Sequence, residues 1–340
     1  MAATDWPQVH SIDPTSLAVQ SKLELPLAAG LAVASSAHWR REVGRHTSLQ
    51  YYMFYNPITT KFDFALYRFG NTFEEHELVA KFEMPHMSVV HMFSNTERYA
   101  VIALYPVTID FMAFPTHHMH PFETLKKLDD PVRFYLIDLN DGSVVDGFEL
   151  DDPRLVFSAH HMNAWEEKGE VVLDLGTVPW DAFGVIFDVE TMLNATLTTD
   201  DKGFFEMKRV RLNLADKSVT LEDWPNALGI PLLNTIDFPV INNNYSGRKN
   251  RYGYGWVSID YWRMSLVKKD LEDSLNDKTW SSTSHYPGES FFIPRPGAEA
   301  EDDGLLVNVV FDGEARQSYL LLLDGQTFTE VILHGKHLPS

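Results

Sequence analysis

Short runs of aromatic and branched residues, each closed by a turn, recur along the whole chain and confine it to an all-β fold. They are Leu49 to Tyr55, Phe62 to Phe69, Tyr99 to Val107, Val132 to Leu139, Val171 to Leu175, Val210 to Leu214, Leu305 to Phe311 and Tyr319 to Leu323. Several close alike, at Ile12-Asp13-Pro14, Leu139-Asn140-Asp141-Gly142, Leu214-Ala215-Asp216 and Leu323-Asp324-Gly325, where an apolar strand runs into an Asp-containing turn. This self-similarity at irregular spacing is compatible with the blades of an irregular β-propeller, with a sandwich as the other arrangement. Helical signals are few: Asp270 to Leu275 and Pro121 to Leu128 each suggest a turn or two. Tyr286-Pro287-Gly288 reads as a turn and Arg295 to Asp303 as a surface loop. No composition break divides the chain, so residues 1–340 read as a single domain.

The chain is 44% hydrophobic over 340 residues, ample for a large buried core. Its net charge of −20 repels nucleic acid and anionic membrane surfaces, which argues against a DNA or RNA role. With no cysteine, disulfides, zinc–thiolate sites and thiol catalysis are excluded. No signal peptide is read at the N-terminus, and Leu27 to Ala37 is too short to span a bilayer. A cytoplasmic chain is expected on these grounds. The N-x-[ST] matches at Asn194 and Asn244 read as chance.

Three of the fourteen histidines, His38, His91 and His160, each end a short strand-like run far apart in sequence. Taken singly, each reads as a satisfied histidine at a strand end. Gathered by a fold, they would make a nitrogen-rich site suited to iron, copper or zinc rather than magnesium or calcium.

Their surroundings point to a family. Ser36-Ala37-His38, His91-Met92-Phe93-Ser94-Asn95-Thr96-Glu97-Arg98-Tyr99 and Phe157 to Glu167, with its H-x-x-N-A-W-E-E run, resemble the three ligand motifs of the carotenoid cleavage oxygenases. Ile236 to Asn242, Tyr252-Gly253-Tyr254-Gly255 and Tyr286 to Val310 resemble further signatures. The likeness covers essentially the whole chain.

The resemblance implies a seven-bladed β-propeller with Fe(II) on its axis, held by four histidines. His38, His91 and His160 are the implied ligands, His160 rather than its neighbour His161. Three glutamates orient ligands in the family; Glu289 matches one, while Asp237 and Asp5 stand in the other two places as the shorter acid. That loses about one methylene of reach, so contact through water is expected there. The implied activity is oxidative cleavage, with O2, of a C=C double bond in a carotenoid or apocarotenoid. Against the family pattern the chain reads as shortened at both ends. The fourth ligand is expected past Ser340, with His334 in Leu333-His334-Gly335 a weaker candidate and His337 weaker still. A non-catalytic carotenoid- or metal-binding propeller is therefore the alternative; cleavage of stilbenoids or isomerisation of retinoid esters ranks below both.

Three other features carry candidate chemistry. Thr116-His117-His118-Met119-His120-Pro121 carries three histidines in four residues, but adjacent side chains diverge in an extended segment. With Phe111 to Phe114 beside it, the segment suggests a loop at the substrate entrance or touching a membrane. Glu166-Glu167 and Asp200-Asp201 read as solvated or structural acids, with a glycosidase-like carboxylate pair as the alternative that nothing selects, and Gly253-Tyr254-Gly255 lacks the strand–turn–helix context of a nucleotide loop.

Overall fold

The structure is a computed structural model. It describes residues 2–3, 5, 9–22, 31–72, 75–109, 124–180, 190, 205–260 and 263–331. The chain divides into two compact units, one of residues 1–152, 156–159 and 212–219, the other of residues 153–155, 160–211 and 220–340.

The strands are antiparallel and nearly all join sequence neighbours. First come β1 (Ala2–Ala3), β2 (Val9–Ile12) and β3 (Val19–Lys22), in one sheet. Next are β4 (Leu31–Ser35), β5 (Arg40–Arg41), β6 (Ser48–Asn56), β7 (Lys61–Phe69) and β8 (His76–Met84), ordered β4-β6-β7-β8 with β5 also on β6. Then come β9 (Ser94–Asn95), β10 (Tyr99–Leu104), β11 (Val107–Ile109), β12 (Leu125–Lys127), β13 (Val132–Asp138) and β14 (Val144–Leu150). Of these, β14-β13-β10-β9 form one sheet and β11-β12 a pair. Three further sheets follow in simple order. They are β15 (His161–Glu167) to β18 (Val219–Asp223) with β16 (Glu170–Thr177) and β17 (Glu206–Asn213) between, β19 (Ile236–Val240), β20 (Tyr252–Asp260), β21 (Arg263–Asp270) and β22 (Lys278–Trp280), and β23 (His285–Pro294), β24 (Gly304–Asp312) and β25 (Gln317–Asp324).

The eight aromatic and branched runs from Leu49 to Leu323 lie on strands, with Tyr99 to Val107 split between β10 and β11. Period two explains why some runs are apolar throughout. On β6 and β7, Leu49, Tyr51, Met53, Phe64 and Leu66 enter one buried cluster. The intervening Tyr52, Phe54, Ala65, Tyr67 and Phe69 enter a second, so both faces of these strands are covered. Three local expectations are corrected. Leu125–Lys127 is a strand, because it pairs with Val107–Ile109. The span Asp270 to Leu275 ends β21 and leads to a short 3₁₀ turn at Ser274–Asn276. Tyr286-Pro287-Gly288 lies inside β23, where a bulge after Pro287 absorbs the proline.

The repeated strand ends share one device. In the first, Asp13 Oδ1 accepts from the amides of Thr15 and Ser16 at 2.9 and 2.8 Å, and its carbonyl accepts from Leu17 at 2.8 Å. Leu17 is left-handed, with φ 57°. Asn56, Asp138, Asn213 and Asp324 do the same, each followed four residues on by a left-handed residue: Thr60, Gly142, Lys217 and Phe328. The side-chain oxygen satisfies amides that have left the ladder. In two of the turns the operative residue is therefore Asp138 or Asn213, the last residue of its strand, rather than the later Asp141 or Asp216.

Candidate metal centre

His38 lies just past β4, where the chain leaves the sheet at Ser35 and re-enters at β5. Two contacts hold the corner. The Ser35 amide donates to the Asp5 carbonyl at 2.9 Å, and Gln50 Nε2 donates to the Ser36 carbonyl at 2.5 Å. His91 sits in residues 88–93, which are not strand, contrary to the reading that a strand ends there. Their backbone is satisfied from outside the ladder. The Val89 amide donates to Val107 at 2.9 Å, and the buried Tyr51 hydroxyl donates to the Val90 carbonyl. Burial pushes the Tyr51 pKa well above 10, so it stays a donor.

These two corners meet. The Nε2 atoms of His38 and His91 are 2.9 Å apart, with the rings edge to face at 73°. On its far side, His91 Nδ1 lies 2.8 Å from Asp5 Oδ2. A carboxylate at Nδ1 accepts a hydrogen bond from Nδ1–H and so favours the tautomer with its lone pair on Nε2, the one a metal requires. Arg40, two residues beyond His38, donates from Nε to the carbonyl of Phe93, two beyond His91, at 2.7 Å. Burial lowers the Arg40 pKa to about 10, and it remains a cation at neutral pH.

In the other unit, His160 stands immediately before β15, so it too precedes a strand instead of ending one. Its carbonyl accepts from Gly176 at 2.9 Å, and its Nδ1 lies 2.5 Å from Asp237 Oδ1. Asp237 is on β19 at a bulge that runs to Val240. The next residue, Phe238, is left-handed at φ 45°, uncommon for a bulky side chain, and its ring packs 4.7 Å from that of His160. Opposite the bulge, Gly255 has no room for a side chain: a Cβ there would lie 2.8 Å from the Asp237 carbonyl oxygen.

Asp5 and Asp237 thus reach their imidazoles directly, and the expected water-mediated contact is corrected. At Asp237 the bulge re-aims the carboxylate enough to offset the missing methylene. Glu289 lies exposed on β23, and among the described residues no hydrogen bond joins it to a histidine. His334, His337 and His117 to His120 lie outside the described residues, as do Asp200 and Asp201. His161 is wholly buried within β15. The remainder of the H-x-x-N-A-W-E-E run is architectural. Asn163 donates to the carbonyls of Tyr245 and Arg248 and accepts from Gly247. Trp165 lies under Arg209, which grips Asp174 through two nitrogens at 2.8 and 2.9 Å. Glu167 pairs with Lys249 at 3.3 Å rather than forming an acid–base dyad with Glu166. The roles of Gln50, Tyr51 and Arg40 escaped the sequence reading, and Gly255 was visible only as part of a motif; a Gln amid the apolar run of β6 was the one available signal for the first three.

Comparison with known proteins places this geometry in a family. The family model described as retinal pigment epithelial membrane protein matches residues 1–339. The chain belongs to that family, the carotenoid oxygenases. It is 27% identical over 404 residues to a carotenoid dioxygenase of Neurospora crassa, covering 99% of this chain and 62% of that one. To the β,β-carotene 15,15'-dioxygenase of Rattus norvegicus it is 23% identical, covering 100% and 68%. The chain thus spans under two thirds of the length of the fungal relative. The crystal structure of cobalt-substituted Synechocystis apocarotenoid oxygenase superimposes with TM-score 0.76 at 21% identity, over 96% of this chain and 67% of that one. That likeness establishes the fold: all-β, of the carotenoid oxygenase propeller type.

Proposed function

We propose that the chain is an Fe(II)-dependent dioxygenase that cleaves a C=C double bond of a carotenoid or apocarotenoid. In this reading His38, His91 and His160, the histidines of the three family ligand motifs, bind one ferrous ion. The observation that carries it is the paired chemistry of the imidazoles: His91 and His160 each present Nδ1 to a carboxylate, which leaves both in the metal-binding tautomer. The donor set fits such an ion, since imidazole nitrogens suit iron, the chain has no thiolate, and no carboxylate joins the group among the described residues. The relatives named as carotenoid dioxygenases support the substrate class.

Ferrous iron, when bound, supplies a site for O2 and the electron exchange that lets O2 react with an electron-rich alkene. The chain's own residues orient and exclude. Asp5 and Asp237 hold two rings against rotation, and Phe238 flanks His160 with an apolar face. Glu289 is assigned to orient a further imidazole. The overall change balances without an external reductant: the C=C bond breaks, and each carbon takes one oxygen atom of O2 to give two carbonyl products. A lipid-soluble substrate suits peripheral contact with a membrane by an otherwise cytoplasmic chain. Residues 110–123, which carry the Phe111 to Phe114 segment, lie outside the described residues.

A second reading is a carotenoid- or metal-binding propeller without turnover. It is favoured by the two Asp-for-Glu replacements. Incubation of the iron-loaded chain with apocarotenoid under ¹⁸O2 separates the two. Aldehyde products carrying the label support the dioxygenase; a shifted polyene absorption with no oxygen uptake supports the binder and overturns the enzyme.

A further inference from the structure

We propose that the Ser36 hydroxyl is a positioning group that sets the separation of the His38 and His91 imidazoles; the inference rests on the metal reading above. Ser36 is wholly buried, so its hydroxyl has no water to satisfy it. Oγ lies 2.9 Å from the amide nitrogen of His38 and 2.8 Å from the carbonyl oxygen of His91. The carbonyl of His38 is 3.2 Å away. A hydroxyl has one proton, and the shorter acceptor is His91. The same oxygen therefore accepts from the backbone of one histidine and donates to the backbone of the other, across fifty-three residues of sequence.

Its neighbours complete a frame. Gln50 holds Ser36 itself through the Ser36 carbonyl, and the Gln50 side-chain oxygen accepts from the Tyr51 amide at 3.0 Å, which fixes the amide's orientation. Asp5 Oδ1 accepts from the Ala37 amide at 3.3 Å while Oδ2 holds the His91 ring. The division of labour follows from where each group attaches. Asp5 governs the rotation of one ring, whereas Ser36 governs the distance between two backbones and hence between two Nε2 atoms. Ligand geometry tolerates errors of about half an ångström, so a backbone tie of this kind acts directly on metal affinity. Ser36→Ala, which lacks the hydroxyl, takes one hydrogen bond from the His38 amide and one from the His91 carbonyl.

The test uses Co(II) as the probe, titrated into the metal-free full chain against a competing chelator, for wild type, Ser36→Ala and Ser36→Thr. Thermal melting of each metal-free protein is measured alongside. The expected result is about tenfold weaker Co(II) binding by Ser36→Ala, the size usual for loss of a group behind a ligand. Ser36→Thr, which keeps the hydroxyl, is expected within about threefold of wild type by the same measure. A merely structural role would lower the melting temperature of Ser36→Ala and leave its Co(II) affinity untouched; that outcome overturns the proposal, as does equal loss in Ala and Thr. Absence of Co(II) binding by wild type would instead overturn the metal reading, and this inference with it. A measurement on wild type alone guards against a misfolded variant: the His38 amide is expected to be protected from hydrogen exchange in the metal-free chain, and rapid exchange there contradicts the tie.

Discussion

His160 Nδ1 lies 2.5 Å from Asp237 Oδ1, with both side chains more than nine tenths buried. The carboxylate fixes which ring nitrogen carries the proton, and so which one faces a metal. Asp237→Ala is therefore expected to weaken Fe(II) or Co(II) binding about 10- to 100-fold, read by chelator competition. Unchanged affinity would mean that the ring is oriented by packing on Phe238 alone.

That carboxylate is held in turn by its backbone. Gly255 touches the Asp237 carbonyl so closely that a Cβ has no place. Gly255→Ala should cost about 1–3 kcal/mol through overpacking. Urea unfolding measures this, and metal affinity should fall in the same variant because the bulge at Asp237 must shift. A variant as stable as wild type would show that the strand yields without penalty.

Lys269 and Asp277 form an ion pair at 2.7 Å with both side chains wholly buried. Removing one partner leaves the other as an uncompensated buried charge. Lys269→Met is expected to lose about 3–5 kcal/mol, and the double variant Lys269→Met/Asp277→Leu to recover much of it. Denaturant unfolding of the two variants decides the point.

Acid should erode stability through Asp270. Burial alone would raise its pKa, but Arg251, with contacts at 2.9 and 2.7 Å, and the amides of Asp273 and Glu272 outweigh burial and hold it below 3.8. A carboxylate depressed in the folded state contributes stability fully above its unfolded pKa and loses it as pH falls through the folded value. Asp270→Asn should therefore be less stable than wild type at pH 7, with the gap narrowing below about pH 4. A gap that stays constant down to pH 2.5 would contradict the assignment.

The fold was legible because its rules are local. Alternation and branched residues marked the strands, and Asp13 and Asp324 marked their turns. The elements misread were those decided by partners. Leu125–Lys127 becomes strand by pairing with Val107–Ile109, and Pro287 stays in β23 because a bulge accommodates it. At the site, the likeness of three motifs to those of the carotenoid oxygenases singled out His38, His91 and His160. It could not show the direct reach of Asp5 or Asp237, because each contact joins residues distant in sequence, and beside Asp237 the backbone turns left-handed at Phe238. Ser36 was visible only as part of a motif; its bond to His91 spans fifty-five residues and exists only in the folded chain.

The central claim is that the histidines hold one iron. Elemental analysis of the purified chain, loaded with Fe(II) under anaerobic conditions, tests it most directly beside His160→Ala. The account predicts about one iron per chain in wild type and its loss in the variant. Equal iron in both, or none in wild type, would contradict it.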